Sequence, residues 1–206
     1  MTGYVTLALI AVTVVVSWQA WDKPRLLDRL ILWPPAVERQ RQYDRLLTHG
    51  FIHADWGHLI FNMIALYSFG PAMESYFAGR ITAIGYLVFY LSAVVIAILP
   101  TYVRHKQDAS YRSLGASGAV SAVLFAFILL DPWAGIYVFL IPVAIPAFLF
   151  AGLYLGYTIW MDKRGGDNVN HSAHLWGALY GVGFTLLLNP ELAARFVRRL
   201  ASPGSF

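Results

Sequence analysis

The chain contains no cysteine. That excludes disulfides, thiol nucleophiles and cysteine-ligated metals, and leaves no clue to redox compartment. Charge is also scarce: of 206 residues only 13% are charged, where an ordinary soluble domain carries about 25%. The hydrophobic share is 58% and the mean hydropathy is +0.58, more than a soluble fold of this length can hide. Lipid is therefore the expected solvent. The formal charge of +4 does not point to nucleic acid, because the basic residues sit in short segments between apolar runs, where they anchor helix ends among lipid headgroups. Nor is a cleavable leader expected. Met1-Thr2-Gly3 lacks a basic residue, and Trp18-Gln19-Ala20-Trp21 is a poor small-residue cleavage site, so the first apolar run is expected to stay as a helix.

What the chain does have is six apolar runs, near Tyr4–Trp21, Gly57–Phe77, Ile81–Val103, Leu114–Leu130, Pro132–Met161 and Ser172–Asn189. Each is long enough to cross a bilayer, which takes roughly 17–25 residues. The fifth is too long for one straight span and too short for two. It is expected to be a helix kinked at Pro142 and Pro146, with Pro132–Tyr137 at the interface. Most connections are tight. Met161–Asn170 is polar and glycine-rich, as a mobile flap would be. Asp22–Leu47 is too long for a plain turn, and its Pro24–Trp33 stretch alternates charges with leucine, isoleucine and tryptophan, the pattern of a segment lying in the membrane interface. There is no repeat and no low-complexity tract. The expected fold is all-α: a single polytopic domain over 1–206, a bundle of six transmembrane helices with a partly embedded first loop.

Polar residues at membrane depth are costly and so are candidates for function. His58 and Asn62 lie near the start of the second run, Ser117 near the start of the fourth and His174 near the start of the sixth. Even-numbered runs travel in the same direction, so all four residues fall in one leaflet. Ser117 is flanked by Gly115 and Gly118, which permit a sharp turn and close approach of a substrate. At a helix start it also lies beside unpaired N–H groups that suit a developing oxyanion. A serine hydroxyl needs a base, and His174 titrates in the right range. Asn62 and His58, four apart on one face, can both donate to a negatively charged oxygen. His174, Gly177, Ala178 and Gly181 form a small-residue face that lets the sixth run pack closely, and the fourth run is the expected neighbour. No later run carries a buried acid, so a dyad is expected. GxSG alone is a weak signal, and an isolated helical histidine is more often structural than catalytic. Glu74 by itself reads as an interfacial residue. His49 and His105 read as ordinary loop residues. Metal binding is not expected: His53 and His58 fall on different faces and there is no HExxH.

Taken jointly, three segments resemble the rhomboid family of intramembrane serine proteases: HGFIHADWGHLIFNM with His53, His58 and Asn62, GASGAVSA around Ser117, and AHLWGALYG around His174. The likeness runs from Arg45 to about Gly183. It implies that Ser117 is the nucleophile, that His174 is the general base, and that His58, Asn62 and the Ser117 N–H form the oxyanion hole. It further implies that no cofactor or metal is involved and that the protein cleaves transmembrane segments of other membrane proteins after a small residue. It also implies that Glu74 stabilises the bundle, that Asp22–Leu47 is a half-embedded loop, that Met161–Asn170 caps the site and that the fifth helix borders lateral admission of substrate. Residence in the inner (cell) membrane of a bacterium is expected. Two positions depart from the family pattern. Asp44, not tryptophan, precedes Arg45, and Ser121 stands where many members stack an aromatic on the catalytic imidazole, leaving His171 or another aromatic to position His174. The rival readings are a silent relative that binds or escorts membrane proteins, which typically lacks the serine or histidine, and a small transporter, which would need charges deep in several helices.

Orientation sets two arguments against each other. The resemblance implies cytoplasmic termini and a site facing outward. Yet 11 of the 15 Lys and Arg residues lie in the first, third and fifth connections, leaving only Arg80, Arg195, Arg198 and Arg199 on the other side, so a positive-inside count faces the site inward. The family orientation is the expected one, because Asp22, Asp28, Glu38 and Asp44 offset the basic first loop. A reporter that fluoresces only in the cytoplasm, fused after Phe206, is expected to be bright. A dark fusion on intact, membrane-inserted protein would mean the charge rule prevails.

Overall fold

The computed structural model describes residues 3–138 and 143–201. It is mostly helical. α1 (Tyr4–Asp22) is followed by three short helices in the long first connection, α2 (Pro24–Leu30), α3 (Pro34–Gln40) and α4 (Arg45–Thr48). Then come α5 (Trp56–Ala78), α6 (Ala83–His105), α7 (Ser117–Leu130), α8 (Ala147–Arg164), α9 (His171–Leu188) and α10 (Glu191–Ala201). By length and composition α1 and α6 are each apolar enough to cross a membrane, while α7 is apolar but shorter.

The helix ends show why these segments fold where they do. Asp55 accepts the His58 N–H and starts α5, Thr82 accepts the Gly85 N–H and starts α6, and Asn170 accepts the Ala173 N–H and starts α9. The cap of α1 comes from elsewhere in the chain. Glu74, buried on α5, accepts the Val5 N–H at 3.1 Å, the Thr6 N–H at 2.8 Å and the Thr6 hydroxyl at 2.8 Å. It therefore holds two helices together rather than lying at an interface. A carboxylate at a helix N-terminus also meets the positive end of the helix dipole.

The fifth run departs from expectation. It is not one kinked helix. Gly135–Tyr137 (β1) and Ala144–Pro146 (β2) pair antiparallel, with Ile136 opposite Ile145, and helix begins only at Ala147. Ile136, Tyr137 and Ile145 suit a pleated strand, and the two segments satisfy each other's backbone in a short ribbon. Pro146 stands directly before the helix, where its missing N–H costs nothing. Pro142 lies outside the described residues. At the far end α8 continues to Arg164, so the polar connection to α9 shrinks to Gly165–Asn170. The basic end at Arg195, Arg198 and Arg199 is helical, docked through buried Leu192 and a bond from Trp133 Nε1 to the Arg199 carbonyl.

The tightest packing joins α7 to α9. A Cβ added to Gly177 would overlap the Gly118 carbonyl, and one added to Gly181 would overlap the Ala122 carbonyl. The two helices thus meet backbone to backbone along a small-xxx-small stripe. Around this pair a core gathers Leu66, Phe77, Tyr86, Phe89, Tyr90, Ala119 and Val123. Gly177→Leu is expected to cost at least about 1–3 kcal/mol through overpacking, read as a lowered thermal midpoint in detergent. Gly183→Leu, on the same helix with nothing within 4 Å of its added carbon, is expected to leave the midpoint unchanged.

Candidate active site

Three helix N-termini converge at one end of the bundle, those of α5, α7 and α9. They are stitched together through the segment that precedes Ser117. Ser113 exchanges backbone bonds with Leu32 of the first connection, at 3.0 and 3.1 Å, and the Gly115 N–H donates to the His49 carbonyl at 2.9 Å. The Ala116 N–H donates to His53 Nε2 at 3.3 Å. Asn170, the α9 cap, donates from Nδ2 to Ser113 Oγ at 3.2 Å and accepts from Thr101 Oγ1 at 3.0 Å. Gly115 has φ +116, and a Cβ there would collide with the His58 ring. Glycine is thus needed at 115 for both the turn and the imidazole beside it.

Ser117 is the first residue of α7, and no side chain caps that helix, although α5 and α9 beside it are capped. The first-turn amides of α7 are left available for an external acceptor. His174 lies in the first turn of α9. An added carbon on Gly118 would lie 3.3 Å from the Ala173 carbonyl, so the turns that carry Ser117 and His174 face each other. Among the described residues no hydrogen bond joins the two side chains. Asn62 is buried, and its Nδ2 donates to the His58 carbonyl within α5 at 2.9 Å. That uses one of its two amide hydrogens.

Two further histidines, His53 of the motif and His49, which looked ordinary in the sequence, support this arrangement. His53 and His58 are five apart, but His53 precedes α5, so helical faces do not separate them. Their rings meet edge to face at 4.9 Å. His53 is fully buried and also contacts Ser17 Oγ at 3.0 Å through Nδ1. Since Nε2 accepts from Ala116, Nδ1 carries the proton and donates to Ser17, and Ser17 donates to the Phe51 carbonyl at 3.1 Å. His49, expected as a loop residue of no note, is buried against the Arg45 carbonyl at 3.1 Å. Burial pushes its imidazole down to about 4, so it is neutral at physiological pH. Arg45, lacking a preceding tryptophan, is nonetheless buried and donates to the Asp28 and Ile31 carbonyls at 2.5 and 2.7 Å.

The sequence reading missed Asn170 and Tyr154. Asn170 carried a signal, being an asparagine directly before an apolar run. Tyr154 on α8 did not. Its ring lies over His174 with centroids 6.1 Å apart and an interplanar angle of 25°, and its hydroxyl meets Ser121 Oγ at 2.7 Å. At the mouth of the site His171 Nε2 donates to Asp167 at 3.0 Å, and that bond holds the Asp167 carboxyl below its ordinary range. Among the described residues no three His, Asp or Glu side chains converge as metal ligands would.

A family model described as the Rhomboid domain matches residues 40–191, which include His58, Asn62, Ser117 and His174. The chain is 34% identical over 182 residues to RHOMBOID-like protein 12, mitochondrial, of Arabidopsis thaliana, covering 80% of this chain and 52% of that protein. It is 30% identical over 195 residues to presenilin-associated rhomboid-like protein A, mitochondrial, of Danio rerio, covering 89% and 46%. With Rhomboid protein 1, mitochondrial, of Saccharomyces cerevisiae it shares 30% identity over 166 residues, covering 77% and 46%. The chain spans about half the length of these curated relatives.

The dependence of the Ser117 turn on His53 is open to test. His53→Ala leaves the buried Ala116 N–H without an acceptor, which is expected to cost about 1–3 kcal/mol. The thermal midpoint should fall further than in Ser17→Ala, which leaves that acceptor in place. Equal midpoints for the two variants would show that the Ala116 bond contributes no more than the bond between His53 and Ser17.

Proposed function

Because this chain belongs to the rhomboid family, a family of membrane-integral proteins, we propose that it is an intramembrane serine endopeptidase. It cleaves transmembrane segments of other membrane proteins through an acyl-enzyme on Ser117. The observation that carries the reading is the convergence of three helix N-termini around an uncapped first turn bearing Ser117, with the His174 turn packed against it through glycines.

The chemistry follows from the parts. His174 takes the proton of Ser117 Oγ as that oxygen attacks the scissile carbonyl. The resulting oxyanion accepts hydrogen bonds from the Ser117 N–H, from His58 and from the remaining Asn62 amide hydrogen. His174 then gives its proton to the leaving amine. In the second half it deprotonates a water that attacks the acyl carbonyl, and Ser117 leaves with the proton returned. No cofactor or metal takes part. The proposed architecture is a single bundle in which α1 and α5 to α9 form six spans, with α2 to α4 in a half-embedded first loop. Substrate helices meet the site from the bilayer. For residence, the inner (cell) membrane of a bacterium is part of the proposal, while the relatives above are mitochondrial by name.

One observation favours the alternative of a silent membrane-protein binder: Ser117 and His174 share no hydrogen bond. In unliganded enzymes such bonds often tighten only with substrate present. A single experiment separates the two readings. Wild-type protein in detergent is expected to react with a fluorophosphonate probe and to cut a transmembrane peptide at a defined bond. Ser117→Ala and His174→Ala should lose both activities, and Asn62→Ala should slow turnover by about 10²–10³-fold with little change in substrate binding. Equal labelling of Ser117→Ala would rule the nucleophile out.

A further inference from the structure

The His174 imidazole has no hydrogen-bonded side-chain partner among the described residues, and two rings contact it. Tyr154 stacks on one side, and His171 meets it edge to face at 5.8 Å. A histidine χ2 is broad and roughly two-fold, so an imidazole with no carboxylate behind it is free to swing unless packing stops it. Tyr154 is itself tied down. Its hydroxyl bonds Ser121, and its ring leans on Phe125 at 5.5 Å. Both residues belong to α7, and Ser121 is one turn beyond Ser117. The helix bearing Ser117 thus fixes a ring on α8, and that ring fixes the plane of the imidazole on α9.

We infer that Tyr154 is the positioning residue for His174, its ring held by Ser121 and Phe125 so that the imidazole faces Ser117. The inference rests on the protease reading above and assigns the orienting role that a carboxylate fills in a triad. It acts by stacking, with offset rings at a separation within the usual 4.5–7 Å. Tyr154 reaches the reacting atoms only through His174, so its loss affects turnover and leaves substrate affinity alone. The other side of α8 plays no such part: Leu153, the residue before Tyr154, is 60% exposed.

The test uses the full chain in detergent and measures kcat, KM, fluorophosphonate labelling rate and thermal midpoint side by side. Tyr154→Leu is expected to lower kcat and labelling roughly 10–100-fold, the scale of a misplaced catalytic group, with KM and midpoint unchanged. Tyr154→Phe keeps the ring and should retain most of the wild-type kcat. Leu153→Ala should match wild type. If Tyr154→Leu lowers the midpoint, Tyr154→Met fills the same space without a ring and makes the same comparison. Wild-type kcat in the ringless variants overturns the inference, and so does an equal loss in Tyr154→Phe. Absence of labelling and cleavage in the wild type itself would instead sink the protease reading and this inference with it.

Discussion

The contact between α7 and α9 sets the geometry on which the rest of the site depends. Gly177 and Gly181 lie against the carbonyls of Gly118 and Ala122 with no room for a side chain. In lipid there is no hydrophobic force to press two helices together, so they associate through close van der Waals contact and polar bonds, and small residues make close contact possible. At this separation the first turn of each helix faces the other. Ser117 and His174 share a neighbourhood as a consequence of glycines one and two turns further along the same stripe.

Close packing alone would leave the segment before Ser117 loose, since a turn at φ +116 is not held by any helix. It is held by bonds from far along the chain. Leu32, His49 and His53 take or give backbone bonds to Ser113, Gly115 and Ala116, and Ser17 on α1 holds His53. The long first connection is therefore more than a span between helices: it is the wall against which the turn is built. Arg45 donates to the Asp28 and Ile31 carbonyls and keeps that wall in place. At the opposite end Glu74 caps α1 and ties it to α5. α1 is in this way attached to the same framework at both ends.

The cost of polar groups in an apolar setting accounts for which ends are capped. Asp55 and Asn170 satisfy amides at the starts of α5 and α9. α7 between them has no such side chain. An unsatisfied first turn is expensive away from water, and this one coincides with the serine that the proposed chemistry requires. Glycines pack its neighbours, and histidines rather than carboxylates line its surroundings.

Much of this was legible in the residues themselves. Apolar runs one, two, three and six match α1, α5, α6 and α9 to within a residue or two, because hydrophobic length is written locally. The GASG turn, the stripe through Gly177 and Gly181, and the placing of His58, Ser117 and His174 each in the first turn of a helix were readable for the same reason. The fifth run was misread because a stretch rich in β-branched and aromatic residues has no period that separates a ribbon from a buried helix; Gly135–Tyr137 and Ala144–Pro146 become strands only by pairing with each other. His49 looked idle, and His53 had no role beyond its place in the motif, because their partners, Gly115 and Ala116, lie more than sixty residues away. Ser121 looked like the loss of an aromatic beside the imidazole, and only the packing of α8 against α7 and α9 reveals that Tyr154 brings the ring from another helix. The sequence determined which residue types stand at which helix ends. The tertiary structure decided which of them touch, because contacts between distant segments depend on how closely whole helices approach, and no local pattern encodes that distance.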